Sequence, residues 1–74
     1  MTLSELGERI KKLRKERGIT QEELAKRAGI SRTTLSRIEN GYFSKISVVT
    51  LIKILSLLGM TIDIKPKNPF VRGE

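Results

Sequence analysis

The sequence predicts a mainly α-helical fold of four helices followed by one short β-strand near the C-terminus. Two observations predict the helices: apolar residues recur at helical spacing along most of the chain, and a Ser or Thr suited to N-capping precedes each such segment. A third predicts the strand, because apolar and polar residues alternate in the segment GMTIDIK, residues 59–65. The predicted organisation is a helical domain over 1–59, a dimerising strand over 60–65 and a flexible tail over 66–74.

Length and residue content limit what the chain can be. At 74 residues and 8.4 kDa it forms one small domain, whose core is marginal unless the helices pack tightly or a second chain adds buried surface. Cysteine and histidine are both absent, so no disulfide can form and we expect neither a metal site nor a cofactor. Since no apolar stretch approaches about 18 residues and no signal peptide is recognisable, we expect an intracellular protein.

The charge is strongly positive. The chain has 15 Lys and Arg against 8 Asp and Glu, a net charge of +7 and a pI near 10.3. A small basic domain attracts polyanions, most often nucleic acid, although a charged surface can also serve solubility or heat resistance alone. One Tyr and two Phe are too few for the stacking platform of a single-strand binder.

Four helices are predicted, each beginning after a capping residue. Thr2 and Thr20 each stand three residues before a glutamate, as in a capping box, whereas Ser31 and Ser47 cap the third and fourth helices. Each helix ends at a glycine, which readily adopts the left-handed conformation found after helix C-termini. These glycines are Gly18, Gly29, Gly41 and Gly59.

The second and third helices, QEELAKRA and RTTLSRIEN, are short and are separated by a brief turn around Gly29. Two such helices have the sequence form of a helix-turn-helix. Small Ala25 fits the point where the helices approach closely, and Leu35 and Ile38 fix the buried side of the third helix. Arginine can donate two hydrogen bonds to guanine, and the threonine methyl can contact thymine. The residues expected on the exposed face are Arg32, Thr33, Ser36 and Arg37.

The segment TQEELAKRAGISRTTLSRIENG resembles the xenobiotic-response-element, or Cro/repressor, family of helix-turn-helix DNA-binding proteins, over roughly residues 5–59. The resemblance implies that the second helix of the motif lies in the DNA major groove and that the first crosses the phosphate backbone. It implies that Arg32, Thr33 and Arg37 contact bases, with Ser36 as an addition. An open alternative is that either arginine binds only phosphate. A cytoplasmic, nucleoid-associated protein without membrane contact is then expected.

Contacts with the phosphate backbone are expected at the start of the second helix and after the third. Gln21 begins the second helix, where backbone N–H groups and the helix dipole favour an anion and the amide adds a donor. The resemblance implies the same role for Gln21 and for residues after the third helix, although Tyr42 could instead pack within its loop. The full predicted phosphate set is Gln21, Asn40, Tyr42, Ser44 and Lys45.

Four other charged residues are expected to be structural. The resemblance implies a partly buried ion pair between Arg14 and Glu39, which would tie the first helix to the end of the third. Glu22 and Glu23 lie in the first turn of a helix, where acids favour the helix dipole and capping. With no His, Cys or Gly-rich phosphate loop, the usual groups of acid–base and metal catalysis are missing, so an enzyme is not expected.

The predicted strand has no partner within its own chain. The same strand of a second copy, related by a two-fold axis, could pair with it in the antiparallel sense and face the fourth helices. The fourth helix, VVTLIKILSLLG, is more apolar than one side of a core requires, so part of it faces another subunit or else extends the internal core. The residues predicted at the dimer interface are Leu58, Met60, Ile62 and Ile64.

These features predict a sequence-specific regulator of transcription, most simply a repressor. A homodimer would place two recognition helices about 34 Å apart, on successive major grooves of a palindromic double-stranded operator. The C-terminal strand resembles that of the HipB type of bacterial antitoxin, in which a small strand lid joins two such domains. The alternative is therefore an antitoxin that binds and neutralises a toxin protein and regulates its own operon.

Overall fold

The computed structural model describes residues 1–63, and within that range it contains four α-helices and no strand. The predicted four-helix fold is confirmed. Within residues 1–63, no helix combines the length and the apolar character needed to cross a bilayer. The helices are α1 (Leu3–Glu16), α2 (Gln21–Ala28), α3 (Arg32–Glu39) and α4 (Val48–Leu57).

The predicted N-caps begin all four helices. In each case the side-chain oxygen accepts a hydrogen bond from the backbone N–H three residues later, which satisfies one of the free donors of the first turn. The reciprocal bond of a full capping box forms only at Thr2, whose own N–H donates to Glu5 at 2.7 Å. At Thr20 the predicted N-cap hydrogen bond forms, but the reciprocal bond to Glu23 does not. The Glu23 carboxylate instead accepts a hydrogen bond from Arg27 at 3.0 Å.

The core lies where α1 and α2 pack against α3 and where α4 packs against α2. Its fully buried side chains are leucines and isoleucines, each of which stabilises the fold by about 1.5–3 kcal/mol on burial. Ala25, predicted where α2 and α3 approach closely, is buried, as is Ala28. The buried apolar set is Ile10, Leu24, Ala25, Ala28, Leu35, Ile38, Ile54, Leu55 and Leu58.

Two glycines permit tight geometry at α3. Gly29 has φ 76°, in the left-handed region, and so allows α2 to end and the chain to reach the Ser31 cap within two residues. Gly7, in the middle of α1, faces the C-terminal end of α3. A Cβ at Gly7 would lie 2.8 Å from the carbonyl oxygen of Glu39 and still closer to that of Ile38. The absent side chain thus allows α1 to rest directly on the α3 backbone.

The C-terminal predictions have different outcomes. Leu58 is completely buried within its own chain, so it belongs to the core and has no surface to offer the dimer interface predicted for it. Met60 and Ile62 are exposed. The strand predicted over 60–65 needs a second copy as its partner, so the pairing stays a prediction. Ile64 and the tail over 66–74 lie outside the described residues.

Candidate nucleic-acid interface

The exposed face of α3 carries the side chains predicted to contact bases. Leu35 and Ile38 are almost fully buried, which fixes the orientation of the helix. Thr33 and Arg37 are exposed on the other side, and Arg32 is exposed in the first turn. Ser36 is half-buried beside them, so it offers less of its side chain than predicted.

Hydrogen bonding at the start of α3 leaves Thr33 and Arg32 accessible. The Ser31 hydroxyl accepts from the Thr34 N–H at 3.0 Å and donates to the Thr34 hydroxyl at 2.9 Å, so the cap occupies Thr34 rather than Thr33. Within residues 1–63, neither Arg32 nor Arg37 takes part in an ion pair. Both guanidinium groups can therefore donate to a ligand placed against this face.

The C-terminal end of α3 and the following loop form a second group of donors. Asn40 caps the helix, and its Nδ2 donates to the carbonyl oxygen of Ser36 at 3.0 Å. The Tyr42 N–H donates to the Arg37 carbonyl oxygen at 2.8 Å, while the Tyr42 side chain is 69% exposed. The structure therefore does not show Tyr42 packed within its loop, which was the alternative prediction.

One depression joins the end of α3 to this loop. It brings four of the predicted DNA contacts together. Asn40 is not among its lining residues, and its amide is already engaged with Ser36. The four residues are Arg37, Tyr42, Ser44 and Lys45.

A second depression lies on the other side of α3, along the side that carries Arg32 and Glu39. It is lined by the first residues of α2 and by Arg32, together with Arg14. Gln21, the first residue of α2, is half-buried at this site. The free N–H groups at the start of α2 and the Arg32 guanidinium thus lie beside the same depression, which Glu22 also lines.

The predicted partners Arg14 and Glu39 are in contact. Arg14 Nε donates to Glu39 Oε2 at 2.7 Å, and one terminal nitrogen donates to Oε1 at 3.2 Å. The other terminal nitrogen donates to the carbonyl oxygen of Ile19 at 2.9 Å. Both residues are buried, and within residues 1–63 no buried side-chain nitrogen or oxygen lacks a hydrogen-bond partner.

Sequence reasoning missed the bond that joins this ion pair to the predicted DNA-binding surface. Gln21 Nε2 donates to Glu39 Oε1 at 2.9 Å, across 18 positions of sequence. Residue type and spacing gave no signal for it, because the bond depends on how α2 meets the end of α3. Among residues 1–63, no group of three or more His, Cys, Asp or Glu side chains is arranged to hold a metal ion.

Two short helices joined by a tight glycine turn, the second with a basic exposed face, define a helix-turn-helix domain. The chain belongs to the helix-turn-helix family, whose family model matches residues 10–65.

Individual relatives include known regulators. The chain is 37% identical over 57 residues to the HTH-type transcriptional regulator SinR of Bacillus subtilis, covering 77% of this chain and 51% of SinR. It is 40% identical over 58 residues to the immunity repressor protein of Bacillus phage phi105, covering 78% of this chain and 40% of the repressor. The chain thus spans about half the length, or less, of these relatives.

A solved structure matches nearly the whole chain. One chain of the HipA–HipB–O2–O3 complex superposes on it with a TM-score of 0.74 and 31% sequence identity. The match covers 92% of this chain and 94% of the other.

Proposed function

We propose that this protein is a sequence-specific, double-stranded DNA-binding regulator of transcription. The observation that carries the proposal is the exposed face of α3, where Thr33 and Arg37 lie opposite the buried Leu35 and Ile38 and Arg32 is exposed in the first turn. Arginine discriminates guanine through paired donors, and threonine offers a methyl group to thymine. An α-helix with its side chains is about 10–12 Å across, which suits insertion into a major groove about 12 Å wide.

The surroundings of α3 support this orientation. The depression containing Gln21 and Arg32 lies on one side of the helix, and the one containing Tyr42, Ser44 and Lys45 lies on the other. With α3 in the groove, donors would face the phosphates that border it on both sides. The net charge of +7 would add long-range attraction to the duplex.

We further propose that the protein acts as a homodimer on a palindromic operator. The outward side of α4 exposes Val48, Val49 and Ile52, and the segment after it exposes Met60 and Ile62. A second copy would cover this apolar surface and would supply the partner for the predicted strand. A two-fold axis would then present two α3 helices to successive major grooves.

Repression is the form of regulation we favour. The similarity to SinR and to a phage immunity repressor supports a regulator, and occlusion of a promoter needs only the DNA-binding unit described above. The dimer would bind an operator that overlaps a promoter and would block access of the polymerase.

Selection of random duplex DNA by the purified protein tests this proposal. The selection should run at about 150 mM salt, where nonspecific attraction to phosphate is already weakened. We expect a palindrome whose half-sites lie about ten base pairs apart, as a dimer requires. Recovery of no motif, with only salt-sensitive binding, would contradict sequence-specific regulation.

An antitoxin that also regulates its own operon is a second candidate. The match to one chain of the HipA–HipB–O2–O3 complex favours it, because that structure contains two different proteins together. A toxin gene is then expected beside the gene of this protein. Co-expression of the two products should give one stable complex in size-exclusion chromatography and should suppress the toxicity of the neighbour. Separate elution and undiminished toxicity would contradict this role.

A further inference from the structure

We propose that Glu39, besides its structural ion pair, is a positioning residue for a phosphate contact made by Gln21. The inference rests on the proposed function, since it concerns how the free protein prepares that DNA contact. Glu39 Oε1 accepts the hydrogen bond from Gln21 Nε2 at 2.9 Å, and Oε2 accepts from Arg14 Nε at 2.7 Å. One carboxylate therefore joins α1, the first residue of α2 and the last residue of α3.

The chemistry of the carboxylate determines which way the Gln21 amide faces. An ionised carboxylate has only acceptors, so the amide nitrogen rather than the amide oxygen turns toward Glu39. The bond is charge-assisted and therefore stronger than one between neutral groups. The nitrogen keeps its second N–H, which points away from Glu39 and can donate to a ligand.

The carboxylate can hold the amide because the carboxylate itself is fixed. Glu39 is only 4% exposed, and two nitrogens of Arg14 donate to it from one side. Arg14 is held in turn by its bond to the Ile19 carbonyl oxygen at 2.9 Å. Gln21 is thus attached to a rigid and largely buried group, although its own side chain is half-buried at the surface.

The position of Gln21 gives this restraint a use in binding. It is the first residue of α2, and it lines the same depression as Thr20 and Arg32. A phosphate in this depression would meet the free N–H groups of the α2 N-terminus and the second N–H of the Gln21 amide. A free glutamine side chain would lose rotamer freedom on binding, whereas Glu39 removes much of that freedom beforehand.

A double-mutant cycle distinguishes positioning from a purely structural role. The variants are Gln21→Ala, Glu39→Gln and the combination, and the probe is the duplex recovered by random selection. Gln21→Ala alone should weaken binding about fivefold, the usual effect of one hydrogen bond. Because Glu39 acts through Gln21, Glu39→Gln should weaken binding much less once Gln21 has been replaced. Circular dichroism at the assay temperature should verify that each variant is folded.

The matched control cycle replaces Lys45, an exposed predicted phosphate contact on the opposite side of α3. Any general effect of Glu39→Gln on the fold should appear equally with Lys45→Ala and with Gln21→Ala. We expect the loss caused by Glu39→Gln to be at least about threefold smaller in the Gln21→Ala background than in the Lys45→Ala background. Equal losses in the two backgrounds would overturn the positioning role alone. Absence of duplex binding by the unmodified protein would overturn the proposed function as well.

A second measurement keeps the inference testable if Glu39→Gln does not fold. Gln21 is the only glutamine in the sequence, so its side-chain amide signals in NMR can be assigned directly. In the free protein the amide should show an order parameter close to the rigid backbone value of about 0.85. A value below about 0.6 would show a freely moving side chain and would overturn the inference. Asn40, whose Nδ2 donates to the Ser36 carbonyl oxygen, is the internal reference.

Discussion

Arg14 and Glu39 stand 25 positions apart in the sequence and form a buried ion pair with two hydrogen bonds, of 2.7 and 3.2 Å. The pair joins α1 to the last residue of α3, the helix that carries the predicted base contacts. Its removal should therefore disturb the element most directly concerned with function.

Arg14→Met should destabilise the protein strongly, because it leaves the Glu39 carboxylate buried without its cation. The expected loss is about 3 kcal/mol or more in the free energy of unfolding, measured by urea denaturation. The matched control is Arg27→Met, which removes an exposed ion pair with Glu23. The Arg27 side chain is 56% exposed and the Glu23 side chain is 46% exposed. That change should alter stability by less than about 1 kcal/mol. Similar losses in the two variants would contradict a special role for the buried pair.

Gly7→Ala tests the close approach of α1 to α3. Helix propensity alone predicts that alanine stabilises α1 by about 1 kcal/mol. The added Cβ would instead press on the α3 backbone, at 2.8 Å from the Glu39 carbonyl oxygen. We expect a net destabilisation of about 1–3 kcal/mol by urea denaturation. Glu8→Ala, at the neighbouring exposed position, should have an effect within about 0.5 kcal/mol, and a stabilised Gly7→Ala protein would contradict the geometry.

Glu5 should make the start of α1 sensitive to acid. The backbone hydrogen bond from Thr2 lowers the pKa of the Glu5 carboxyl below its ordinary value of 4.5. A lowered pKa in the folded state means that the stabilisation is fully present above pH 4.5 and is lost as pH falls through the folded pKa. Carboxyl NMR should therefore give a lower titration midpoint for Glu5 in the folded protein than in urea. Equal midpoints in the two states would show that the capping box is absent in solution.

Ile62→Asp should convert the proposed dimer to a monomer in sedimentation experiments. The residue is 48% exposed and lies on the apolar side of the predicted strand, so a charge there would be desolvated on pairing. Thr61→Asp is the matched control, because alternate residues of a strand point to opposite faces. It should leave the dimer intact. A dimer that persists in the Ile62→Asp protein would show that this segment is not the interface.

The local signals in this sequence were sufficient for the helices and their orientation. Thr2, Ser31 and Ser47 begin helices because their side chains satisfy backbone donors within the next turn, an interaction that depends only on neighbouring residues. The apolar positions Leu35 and Ile38 fixed the buried side of α3 in the same way. The predicted base-contacting face followed from that orientation.

Features that depend on packing between helices could not be predicted from the same signals. Leu58 follows an apolar helix for which the sequence predicts surplus hydrophobic surface. Tertiary packing nevertheless buries Leu58 completely. The bond between Gln21 and Glu39, and the use of Gly7 as a point of contact, depend on distances that no residue pattern records. The Glu23 carboxylate is a different case, because it accepts a hydrogen bond from Arg27, four residues away on the same helix, and this local pairing competes with the cap.

The most direct test of the account compares the DNA motifs selected by the unmodified protein and by Arg37→Ala. Arg37 is exposed on α3 and unpaired within residues 1–63, so its removal should abolish the preference at one symmetric pair of positions. The other positions should keep their preference, and Lys45→Ala should weaken binding without changing the motif. An unchanged motif with Arg37→Ala would contradict the claim that this face of α3 recognises the base sequence.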